Sequence, residues 1–339
     1  LSNELAQEVE QEHTRLFSSK VQTPLPAPIE MSTDRGRAPT MIRGRRLTHW
    51  IRVVALGGLG AVVAAALVVL AARGVTTLKF VPDWLEKYPG EYAPVALADP
   101  GFPWWVSWTH FFNFFLMVLI IRSGLLVRIQ QKPPAYWSSR KCDQKISINL
   151  WLHTSLDVLW MFNGCIFVVL LFVSGHWARI VPTSWAVFPN ALSALVQYLT
   201  LDWPTDHGWV NYNSLQQLMY FVVVFVFAPL AIITGVRMST WWPKDAAKLN
   251  TLFPATFARA VHFPTMLFFV LFSVVHVILV FATGALRNLN HMFAGTDAVN
   301  WTGFWLFVLA IALTVGGSIA CKPLIVGPIA VRFGKVTNR

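Results

Sequence analysis

Six stretches of this chain run without an Asp, Glu, Lys or Arg for the length a bilayer demands, roughly 18 residues or more. They are Val53–Ala72, Pro100–Ile121, Val158–Ala178, His207–Val236, Ala260–Leu286 and Ala298–Cys321. The third extends back towards Ile146 and takes in Asp157. A chain of this kind must satisfy its backbone polar groups internally, so the windows predict helices and an all-α integral membrane protein. A seventh uncharged window, Ile180–Leu201, contains Pro182, Pro189, Thr183, Ser184, Asn190 and Gln197. That composition predicts an interfacial or re-entrant segment and leaves six spans. Charged residues make up only 13% of the chain, about half the usual soluble share.

The net charge of +11 would suit nucleic acid on a soluble protein, but here its distribution reads as membrane orientation. With both termini in the cytoplasm, all 27 Lys and Arg except Arg73, Lys79, Lys87, Arg179 and Arg287 fall on the inner side or at inner helix ends. This is the positive-inside pattern, and counting Ile180–Leu201 as a span would destroy it. Trp104, Trp105, Trp108, Trp301 and Trp305 then mark outer ends, and Trp50, Trp241 and Trp242 inner ones. The expected location is the bacterial cytoplasmic membrane, with the lipid bilayer as partner and no nucleic acid. Three parts are expected: a cytoplasmic N-terminal tail over 1–46, a transmembrane domain over 47–322 and a cytoplasmic tail over 323–339. The first holds a short amphipathic helix (Leu5, Val9, Leu16, Phe17) and a Pro-rich linker, Pro24–Pro28. Its polarity argues against a cleavable signal peptide. Three Cys exclude a disulfide scaffold; Cys142, Cys165 and Cys321 read as free thiols.

Ionisable residues inside a bilayer are functional candidates by default. Four of the nine His fall in the spans, His110, His153, His262 and His276. His49 and His176 lie at span ends, and His13, His207 and His291 read as solvated or interfacial. His262 and His276 are 14 residues apart on one helix, about 40° short of whole turns and about 21 Å along the axis. They share a face at two depths, a spacing that suits two stacked haems. Matching depths pair His110 with His276 on the outer side and His153 with His262 on the inner. An iron with both axial positions filled by His has no open site, so such haems carry electrons.

These residues resemble the di-haem cytochrome b membrane subunits of formate dehydrogenase, nickel–iron hydrogenase and thiosulfate reductase type complexes. In that family a four-helix core supplies one His from its first helix, one from its second and two from its fourth. The second to fifth helices here match with His110, His153, His262 and His276 as axial ligands. The family's first-helix pattern reads here as His110-Phe-Phe-Asn113 through Ser123-Gly124, with small-residue closures at Ser174-Gly175, Thr234-Gly235 and Thr283-Gly284. The resemblance covers roughly residues 100–290. It implies two haem b groups, a membrane quinone (menaquinone or ubiquinone), and a catalytic partner subunit, an iron–sulfur or molybdopterin protein, with electrons relayed between quinone and partner.

The match departs from the family in three ways. An additional helix precedes the core and turns it over, placing His110 near the outside. That helix carries Arg46-Leu-Thr-His49-Trp50, itself similar to the family's opening motif, so His49 competes with His153 as partner of His262. His153 is preferred because it keeps the four-helix pattern. A sixth helix follows the core, with no expected role beyond packing. The two-haem cytochrome b of quinol-oxidising bc-type complexes takes two spaced His from each of two helices, and only one helix here carries such a pair.

Arg122 and Asp157 are the charges inside spans. Arg122 lies at the depth of His153 and can meet a haem propionate, pair with Asp157 or snorkel to the inner surface. Asp157, four residues after His153 and on its face, can serve a proton path to a quinone or pair with Arg122. Asn113 and Asn163 are expected to hydrogen-bond between helices. The Trp-rich segment from Pro182 to Trp209 can roof a quinone pocket beside the outer haem or dock a partner. Two other functions remain open on sequence: a stand-alone transmembrane electron carrier, and a haem-free membrane anchor or transporter.

Overall fold

The computed structural model describes residues 41–42, 45–92, 98–130, 132–140, 145–203 and 208–338. The expected N-terminal helix, Pro24–Pro28, His13, His207 and Cys142 lie outside them. Six helices are long and apolar enough to cross a membrane: Thr48–Thr76, Trp104–Ile129, Ile148–Val173, Ser214–Met238, Ala255–Ala282 and Thr302–Ala320. They are the six expected spans, numbered here in that order. The chain divides into two units, Leu1–Ala64 and Ala65–Arg339. The first holds a two-residue antiparallel pairing of Met41–Ile42 with Arg45–Arg46 and the start of the first span. All that follows concerns the second unit unless stated.

Local chemistry sets where the spans begin and end. Ser147 caps the third, its hydroxyl accepting from the Leu150 N–H at 3.1 Å. Asn213 and Gln216 form a reciprocal capping box at the head of the fourth. Pro103 and Pro254 precede the second and fifth, and Gly175, at φ 76°, stops the third. Outward faces stay apolar: Leu271 and Ile278 are 64% and 59% exposed, which is stable only where lipid covers them.

The second and third spans pack together through side-chain hydrogen bonds. Trp160 Nε1 donates to Asn113 Oδ1 at 2.6 Å, and Asn163 Nδ2 to the Thr109 carbonyl at 3.0 Å. Both asparagines therefore link helices, as expected. The fourth and fifth spans form the other pair, with the Phe227 and Phe268 rings stacked 3.5 Å apart. A π-helical turn, Val223–Phe227, interrupts the fourth. The sixth span lies against the second, where a Cβ at Gly317 would come 2.8 Å from the Phe115 ring; glycine permits that approach.

Two features extend the expected plan. Ala135–Ser139 is the middle strand of a three-stranded antiparallel sheet, flanked by Lys145–Ser147 and Gly334–Asn338. Trp137 pairs with Ile146 on one side and Val336 on the other. The segment after the sixth span thus folds as a helix, Pro323–Phe333, and a strand, with Ile148, Val326 and Ala330 buried beneath the sheet. At the other end of the bundle, the seventh window forms a helix over Val187–Thr200, too short to cross a bilayer. Hydrogen bonds from Trp84 Nε1 to Ser193 Oγ and from Asn213 Nδ2 to the Tyr198 hydroxyl fix it against its neighbours.

Candidate functional site

The four intramembrane histidines occupy two levels. His110 lies six residues from the start of its span at Trp104, and His276 six from the end of its span at Ala282, each about 9 Å deep. Their rings face each other with centroids 6.4 Å apart, tilted by 57°. Tyr220, Phe272 and Phe293 surround them, with Phe272 stacked on His276 at 5.8 Å. From the opposite ends, His153 lies five residues from Ile148 and His262 seven from Ala255, about 8 and 10 Å deep. His153 is within electrostatic reach of His262. The structure thus brings the His110 and His276 rings together and sets His153 and His262 near one another at the other depth. His49, at the start of the first span, lies edge-on to Trp50 at 5.9 Å.

The second level has supports that spacing did not reveal. Ser123 Oγ lies 3.1 Å from His153 Nδ1, and Thr234 Oγ1 lies 2.8 Å from His262 Nδ1. Each hydroxyl belongs to one of the small-residue closures, followed by glycine. A Cβ at Gly124 would meet His153 Cε1 at 3.0 Å, and one at Gly235 would meet His262 Cε1 at 3.5 Å. The signal was present in the repeated hydroxyl–glycine step; what it touched was not. Asp157 Oδ2 is 3.6 Å from His153 Nε2, beyond hydrogen-bonding distance. Arg122 forms no ion pair with Asp157: its Nη1 donates to the Cys321 carbonyl at 3.0 Å, joining the second span to the end of the sixth.

Two imidazoles are too few to hold a bare metal ion, which takes about four ligands. They suffice for an iron whose remaining bonds come from a porphyrin. Across one iron, two rings stand roughly 6 Å apart, being two metal–nitrogen bonds of about 2.0 Å plus the radius of each ring. The His110–His276 separation of 6.4 Å fits that requirement, and the aromatic side chains around the pair suit a large apolar macrocycle.

The family model for prokaryotic cytochrome b561 matches residues 101–295, more than half of the chain and the whole of the second to fifth spans. The chain belongs to the prokaryotic cytochrome b561 family. It is a membrane-embedded electron-transfer cytochrome b, and family membership implies haem b. No curated protein matches the cytochrome, and no solved structure does. The first and sixth spans lie outside the matched segment.

Near the first level, at the Trp104 end of the cytochrome, is a cavity of about 690 Å³ whose lining includes Asp99, Phe102, Ser174, His176 and Trp209. Arg179 is buried beside it, its Nη1 and Nη2 donating to the Gly101 and Gly208 carbonyls at 2.7 and 2.6 Å. Its guanidinium lies over the Tyr212 ring at 4.7 Å. His176 Nδ1 meets Ser174 Oγ at 3.0 Å, and its Nε2 is buried with no partner among the described residues. Burial, then the charge of Arg179, lowers the His176 pKa, favouring the neutral ring. His291 departs from expectation: it is buried, with Nε2 2.6 Å from Asp297 Oδ1 and Phe102 stacked at 5.7 Å. A π-helical turn, Asn290–Ala294, swings it inward onto a carboxylate only six residues away.

Proposed function

We propose that the protein carries two haem b groups, one between His110 and His276 and the other between His153 and His262, and relays electrons between a membrane quinone and a catalytic redox partner. The observation that carries this reading is the 6.4 Å separation of the His110 and His276 rings; His153 and His262, at the other depth, lie within electrostatic reach of one another. When bound, each haem supplies a one-electron carrier. The chain supplies the imidazoles, sets their depth and surrounds them with apolar side chains that exclude water. Arg122 is proposed to offer its remaining guanidinium donors to a propionate at the second level.

The positive-inside pattern supports an orientation with the Trp104 end outside, the termini in the cytoplasm, and the His110–His276 level nearer the outer surface. The cavity at that end supports a quinone site. Its volume of about 690 Å³ falls within the ordinary range for ligand pockets, and it combines the rings of Phe102 and Trp209 with the unpartnered Nε2 of His176. The basic inner loops and the sheet at the opposite end are the proposed cytoplasmic face. The partner is inferred to be an iron–sulfur or molybdopterin protein, because the spans themselves offer no second redox domain.

The test is haem quantitation on protein purified gently from membranes, with identification of copurifying chains. Two b haems per chain and a catalytic redox subunit are expected. One haem per chain contradicts the two-level reading, and a functional chain purifying alone points to a stand-alone carrier.

A further inference from the structure

We propose that Ser123 and Thr234 are positioning residues that lock the two imidazoles of the second level in the tautomer required for metal binding and set the reduction potential of the haem between them. This rests on the assignment of His153 and His262 as its ligands.

The argument starts from the hydroxyl protons. Ser123 Oγ donates to the Ile120 carbonyl at 3.0 Å. Thr234 Oγ1 donates to the Leu230 carbonyl at 2.6 Å, with the Ala231 carbonyl at 3.1 Å. Were either proton turned to the imidazole instead, hydroxyl and carbonyl oxygens would face each other at those distances with no hydrogen between them, and would repel. The protons therefore stay on the carbonyls, and each hydroxyl can only accept from its histidine. In the neutral ring, His153 and His262 then carry hydrogen on Nδ1 and a bare lone pair on Nε2, the nitrogen left for iron.

The two supports are built alike on separate helices. Ser123 is 1% exposed and Thr234 0%, so neither exchanges its partner for water. The second span presents Ser123-Gly124 to His153 on the third, and the fourth presents Thr234-Gly235 to His262 on the fifth. In each, the glycine makes room for the ring that the hydroxyl holds. The first level differs: His110 Nδ1 is buried with no hydrogen-bond partner among the described residues.

A hydrogen bond accepted from Nδ1–H raises the basicity of the ligating nitrogen and so favours ferric over ferrous iron. Loss of either hydroxyl is therefore expected to raise the potential of the second-level haem and leave the first unchanged. The experiment is a redox titration of the two haems in Ser123→Ala, Thr234→Ala, Ser123→Thr and Thr234→Ser, with low-temperature EPR of the oxidised protein. An upward shift of one component in both alanine variants, with its EPR signal perturbed and the other signal unmoved, is the expected result. The hydroxyl-retaining variants should resemble wild type. If an alanine variant loses one haem, recovery of that haem in the hydroxyl-retaining variant supports the proposal, and its failure to recover overturns it. Unchanged potentials in both alanine variants, or equal shifts in both haems, also overturn it. A separate control keeps the ligand assignment distinct: if His153→Ala and His262→Ala retain both haems, that assignment fails, and this proposal with it. If they lose one haem while the alanine variants titrate like wild type, only the proposal fails.

Discussion

The imidazoles of His110 and His276, carried on the second and fifth spans, face each other with ring centres 6.4 Å apart. Two helices far apart in sequence are thus joined at one depth by a pair of imidazoles. Tyr220 on the fourth span and Phe272 on the fifth close round the same ring, so three spans meet at this level. The fourth span repeats the arrangement 14 residues on, where Thr234 meets His262, itself 14 residues from His276.

Glycine 124 separates close approach from mere smallness. A methyl group there would lie 3.0 Å from His153 Cε1, whereas one at Gly235 would lie 3.5 Å from His262 Cε1. Gly124→Ala is expected to cost roughly 1–3 kcal/mol, as overpacking does, and to loosen haem retention at the second level. Gly235→Ala should be tolerated. Thermal unfolding in detergent, with haem absorbance followed in parallel, distinguishes the two.

The Asp297 carboxyl is held below the usual carboxylate range by hydrogen bonds first from Arg287, at 2.7 and 2.9 Å, and then from His291. A depressed acid contributes stability above its unfolded value, about 3.9, and loses it only as pH falls through the lowered folded value. The contact should therefore persist from pH 7 down to about 4. Asp297→Asn removes the charge at every pH in that window. A lower melting temperature for the variant across the window is expected, and coincident curves would contradict the role.

His176 tests the quinone cavity. Its Nε2 is buried without a partner among the described residues, so it can hydrogen-bond a quinol hydroxyl or a quinone carbonyl, according to which ring nitrogen carries the hydrogen. His176→Ala should weaken binding of a quinol analogue by the worth of one hydrogen bond, about 0.5–1.5 kcal/mol, with both haems retained. Unchanged affinity would move the site elsewhere.

Much of the architecture could be read from the chain because a bilayer imposes length and polarity on each span. The errors at the ends have a physical cause. The uncharged second window ends at Ile121, before the charges of Arg122 and Arg128, yet the helix runs to Ile129. Such side chains sit within a span when they can reach a carbonyl, as Arg122 does, or a ring, as Arg128 does over Phe263 at 4.0 Å. The fifth span similarly starts at Ala255, before Arg259. Of the candidate site, the places of the four histidines within the spans follow from spacing and depth. Ser123 and Thr234 were visible only as small residues, since their partners lie on other helices. The sheet was hidden because Trp137 and Val336 meet across most of the chain, and nothing local in either strand requires the other.

The central claim is that each level holds one haem through its own pair of histidines. The most direct measurement is the reduced-minus-oxidised spectrum, with haem quantitation, of wild type, His276→Ala and His262→Ala. Two b haems in the wild type and one in each variant are predicted, with a different component missing from each. Absence of b-type bands from the wild type, or retention of both haems in either variant, would contradict the account.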